Sequence, residues 1–160
     1  MSREAWGASV VVLLLIVGHL LLHVTLGIGR AAPDLLTLAV LLGARRLRGG
    51  PAAGLGLGCG LLQDSLSALA FGAASATYAV LGVLGSRSRD VFVGESALFL
   101  GLYLFCGKWL HDILYMVLAD SVRSGDVVSA VLVDAPVGAL YMTGVGLVIM
   151  GAYRALGWRV

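Results

Sequence analysis

The residues best equipped for chemistry lie inside an apolar stretch. Lys108, His111 and Asp112 fall within Gly94–Leu118, the longest apolar run of the chain. Lys108 and Asp112 are four apart, about one helical turn, so an ammonium and a carboxylate can pair on one helix face. With His111 and Trp109 beside them, they could form a ligand or proton site. The more economical reading is a self-neutralised pair that orients the helix or meets a partner helix, because a charge at the bilayer centre costs about 2.5–3.5 kcal/mol on insertion scales. His19 and His23 also lie four apart. Two His at that spacing could bind a metal, but no second pair or carboxylate accompanies them, so they read as a polar stripe and no metal site is expected.

The other polar positions read as structural. Gln63 and Asp64, toward the end of another apolar run, are expected to hydrogen-bond the turn before Phe71. Asp34, beside Pro33, and Asp134, near Pro136, suit helix entry, where a carboxylate accepts unpaired N–H groups. No phosphate-cradling loop, HExxH motif or nucleophile elbow is present. No catalytic residue, cofactor or enzymatic activity is therefore expected. Gly54, Gly56, Gly58 and Gly60 alternate, without the preceding strand that a nucleotide-binding motif needs. They form overlapping GxxxG pairs instead. Gly54, Gly58, Gly60 and Gly82 are candidates for flat faces that receive a partner transmembrane helix, with internal packing as the alternative of equal weight.

The elements that must carry these residues follow from composition. The chain has 160 residues, 59% hydrophobic and only 12% charged, with a mean hydropathy of +0.98. A soluble domain carries roughly 25% charged residues. The reading is an all-α integral membrane protein forming one polytopic domain, and about six spans of roughly 20 residues would fill it. They fall at roughly 8–29, 33–47, 51–69, 71–86, 94–118 and 136–156. Val127–Val133 is apolar enough for a short surface helix. Cys59 and Cys106 lack zinc spacing and read as small packing residues. A net charge of +2 is too small to suggest a nucleic-acid partner. Six crossings put Arg3, Arg45, Arg46, Arg48, Arg87, Arg89, Arg154 and Arg159 on one side, and Arg30 and Arg123 on the other. By the positive-inside rule both termini are expected in the cytoplasm.

Several segments, in order, resemble the MreD family of bacterial rod-shape-determining membrane proteins. They are Pro33-Asp34-Leu35-Leu36, opening a short span that ends in arginines, and the Gly-rich span from Pro51 to Gln63-Asp64. Phe71-Gly72 with Tyr78–Gly82 follows, then Asp134-Ala135-Pro136 with Leu140-Tyr141 and a terminal Tyr153-Arg154. The first helix matches only in being hydrophobic. Met142 stands where the family often has Asn, and Lys108–Asp112 is not a family feature. The resemblance implies a fold similar to the substrate-binding subunits of energy-coupling-factor vitamin transporters. It implies a non-enzymatic scaffold of the elongation machinery in the bacterial cytoplasmic membrane. Its partner would be MreC and, through it, MreB, RodA and a penicillin-binding transpeptidase. The shared fold also suggests a vitamin-transporter subunit. Such subunits dock through Ala-x-x-x-Ala on the first helix, and no alanine lies between Val10 and Ile28.

Overall fold

The computed structural model describes residues 3–22, 33–66, 70–91, 96–119 and 127–155. These residues are helical apart from short turns, and no strand occurs among them. The helices are α1 (Arg3–Leu20), α2 (Leu35–Ala44), α3 (Gly49–Leu66), α4 (Ala73–Val91), α5 (Ala97–Leu118), the single turn α6 (Val127–Ser129) and α7 (Ala135–Ala155). Two helical segments, Ala97–Leu118 and Ala130–Ala155, are long and apolar enough to cross a membrane.

Helix α2 is the centre of the bundle. Nine of its ten residues are buried, because α1, α3, α4, α5 and α7 all pack on it. Ten residues rise about 15 Å, half the roughly 30 Å of a bilayer core. Leu36, Leu38 and Leu41 of α2 meet Tyr78, Leu81, Leu104 and Met142 in one core cluster.

The closest contact joins α3 and α4, which run antiparallel. A Cβ on Gly56 would strike the Tyr78 carbonyl, one on Gly60 the Ser75 Cα, and one on Gly82 the Ala52 carbonyl. Glycine is required at these three positions because backbone lies where a side chain would begin. The turn between the two helices is closed by Gly72 at φ +95°, a left-handed conformation that side chains oppose.

Three boundaries differ from the sequence reading. Helix α1 begins at Arg3 rather than near residue 8. Helix α4 continues to Val91, so Ser86–Asp90 is helix and not a charged loop. The Ser86 and Ser88 hydroxyls donate to the Val83 and Gly85 carbonyls inside that helix, so they do not compete with its backbone. The third difference concerns Pro136. It does not start the last helix, because helix already runs through Val127–Ser129 and the π-helical turns Ala130–Asp134. Val127–Val133 is therefore a continuation of α7, not a separate surface helix. In those turns the Ala130 carbonyl accepts from the N–H of Ala135, five residues on. The next carbonyl, Val131, would need the N–H that Pro136 lacks. Trp109 Nε1 donates to it instead, at 3.1 Å.

Candidate functional site: a buried polar network

The polar side chains of the sequence reading converge on one half of the bundle. Asp34 is the hub. Its Oδ1 accepts the N–H of Thr37 at 3.0 Å, which makes it the N-cap of α2, and its Oδ2 accepts the Thr37 hydroxyl at 2.6 Å. The Thr37 proton is committed to Asp34, so the Tyr78 hydroxyl, 3.1 Å away, donates to Thr37 Oγ1. Lys108 Nζ lies 2.9 Å from Asp34 Oδ2 and 2.5 Å from Asp112 Oδ1. The half-length of α2 explains the meeting: its N-terminus reaches only to the level of Lys108, near the midpoint of α5.

His111 extends the network. Its Nδ1 lies 3.0 Å from Asp112 Oδ1, and a carboxylate only accepts, so that nitrogen carries the proton. The ring packs 4.6 Å from the Tyr78 ring and stacks 6.1 Å from Tyr115. Its Nε2 is buried and has no hydrogen-bond partner. Two carboxylates thus face one ammonium, with the His111 imidazole beside them. Chemically, the group can offer Nε2 to a donor. Among the described residues no set of three His, Cys, Asp or Glu side chains could hold a metal ion.

A second polar group lies at the α3–α4 turn. Asp64 Oδ1 accepts the N–H of Ala74 at 3.1 Å, and Oδ2 accepts the N–H and hydroxyl of Ser75. Asp64 therefore caps the helix after Phe71 from a neighbouring helix, while residues 67–69 of the turn before Phe71 lie outside the described residues. Gln63 does not join it; its Oε1 lies 3.1 Å from His19 Nε2 and ties α3 to α1. His23, the other half of the histidine stripe, lies outside the described residues.

The remaining candidates separate. Gly60 and Gly82 are consumed in the α3–α4 contact, so neither offers a face to a partner helix. Gly54 and Gly58 do lie on an outer face, with nothing within 4 Å of a Cβ built there. Asp134 is exposed within the π-helical turns and caps no helix, because the chain is already helical before it. Tyr141 is exposed on α7, and Pro33 is half-buried beside Asp34. Cys59 is buried, whereas Cys106 is exposed and packs nothing inside. The meeting of Asp34 with Lys108, and the chain from Asp34 through Thr37 to Tyr78, were not read from the sequence. Its one signal was the shortness of the second apolar run, which brings its polar start to mid-depth.

Comparison with family models, with curated proteins and with solved structures found no match for this chain.

Proposed function

We propose that this chain is a non-enzymatic scaffold of the bacterial cytoplasmic membrane, with both termini cytoplasmic, that acts in cell elongation as MreD-family proteins do. Its direct partner is MreC, which connects it to MreB, RodA and a penicillin-binding transpeptidase. The polarity of the bundle supports a membrane setting. Leu13, Leu14, Leu57, Leu61, Leu98 and Val148 are exposed, while Asp64, His111, Thr37 and Thr77 are buried. Water would reward the opposite arrangement, whereas lipid accepts apolar faces outward. The observation that carries the scaffold reading is the open Gly54–Gly58 face. Glycines spaced i, i+4 on an unpartnered helix face let another helix approach to backbone contact, and a single-pass partner fits that geometry. The segments that resemble the family also hold the interior together, through Asp34, Asp64 and Tyr78.

Depletion of the protein in its host tests the reading: loss of rod shape or width control is expected, and unchanged shape would overturn it. One observation favours a second reading, a substrate-binding subunit of an energy-coupling-factor vitamin transporter. The part-buried Asp34–Lys108–Asp112–His111 group, with its unpartnered Nε2, could recognise a small polar molecule. Normal shape together with a new vitamin requirement would select that reading.

A further inference from the structure

Antiparallel packing sorts the cations. Helix α2 pairs with α5 through Lys108–Asp34 at one level and through Tyr103, whose hydroxyl donates to the Leu41 carbonyl, at another. Helix α7 places Gly138 beside Asp112 and Leu147 beside Gly101, so its C-terminus lies at the same end as the C-terminus of α2. That end carries Arg45, Arg46, Arg48, Arg87, Arg89, Arg154 and, on α1, Arg3.

Three of these arginines lie at one level of the bundle. Gly82 packs on Ala52 in the antiparallel α3–α4 pair, so Arg87, five residues later, is level with the turn at Leu47-Arg48. Gly85 lies against Ala44 and the Tyr103 hydroxyl, and the Arg45 guanidinium sits over the Tyr103 ring, 5.3 Å from its centre. Arg48 and Arg87 are exposed. Unlike Lys108, none of Arg45, Arg48 and Arg87 has a carboxylate in ion-pair range among the described residues. Below Arg87, at spacings of three and seven, Leu84 and Val80 occupy the same helix face and are 43% and 44% exposed. A cationic head over an apolar strip matches an anionic phospholipid: phosphate against guanidinium, acyl chain along the strip.

We propose that the end of the bundle bearing the α2–α3 turn binds anionic phospholipid headgroups through Arg45, Arg48 and Arg87. The proposal rests on the membrane-spanning reading above. Seated there, the lipid supplies the counter-charge that no described carboxylate gives to Arg45, Arg48 and Arg87.

The test is native mass spectrometry of the full chain titrated with phosphatidylglycerol, phosphatidylcholine or inorganic phosphate. Wild-type protein is expected to bind phosphatidylglycerol more tightly than phosphatidylcholine and to bind phosphate alone weakly. The R45Q/R48Q/R87Q variant should lose affinity for phosphatidylglycerol, by about fivefold for each arginine removed. Should that variant fail to fold, R87Q alone, at an exposed position, should still lose about fivefold. Equal binding of the two lipids by wild type, or unchanged binding by the variants, overturns the proposal. Phosphate binding as tight as phosphatidylglycerol binding assigns the cluster to a free anion and also overturns it. A parallel flotation with vesicles after an alkaline wash separates the two levels. Protein that fails to float refutes the spanning reading, whereas protein that floats without lipid selectivity refutes only the headgroup site.

Discussion

The two faces of α3 carry the same residue in the same rhythm and do opposite things. Gly56 and Gly60 are pressed against the backbone of α4, while Gly54 and Gly58 look outward on open space. Two residues turn a helix by about 200°, so an alternation of glycine necessarily supplies two faces. One face closes the fold and the other remains available. The same division runs through the bundle. Inward positions hold polar side chains and close contacts, and outward positions hold many large apolar side chains.

Substitutions can break or sharpen that contrast. The largest effect is expected at Lys108. Replacing it with Met leaves Asp34 and Asp112, both part-buried, without their cation, a loss of about 3–5 kcal/mol. Unfolding in detergent would measure it, and the D34N/K108M double variant should recover part of the loss if the two groups are coupled. Gly60→Leu comes next, at about 3 kcal/mol, because α4 backbone rather than a movable side chain occupies the space. A melting temperature equal to wild type would dissolve the distinction between the faces. Asp64→Ala should cost about 1–3 kcal/mol, since it strands the Ala74 and Ser75 N–H groups at the start of α4. Trp109→Phe should cost about 1 kcal/mol by removing the donor to Val131, visible as faster amide exchange in the π-helical turns. Gly58→Leu should have the smallest effect on stability, within about 0.5 kcal/mol. It should nonetheless abolish co-purification of the partner, and unchanged co-purification of a well-folded variant would rule out this face.

Much of the bundle was legible because its causes are local. Leu35–Ala44 is a helix by its apolar run, and Asp34 is its cap by residue type and position. Phe71-Gly72 is a turn because Gly72 accepts a positive φ. The Lys108–Asp112 pair follows from one turn of helix. Pro136 misled for an instructive reason. Proline commonly begins a helix, but its missing N–H can also be absorbed by a wider turn when another donor reaches the stranded carbonyl. That donor, Trp109, lies on a different helix, so no local rule could supply it. The charged residues Ser86–Asp90 misled similarly, since loss of hydropathy marks where an apolar face stops, not where a helix stops.

Sequence alone determined the composition of each face: few charges, sorted arginines, and glycines at spacings that permit close approach. These follow from helical periodicity, which every residue obeys without reference to distant ones. Only the tertiary structure decided which glycine face was closed and which stayed open. It also decided that Asp34 serves both as the cap of α2 and as the counter-ion of Lys108. Both outcomes depend on how far a short central helix reaches and which neighbours surround it, and those are properties of the assembled bundle.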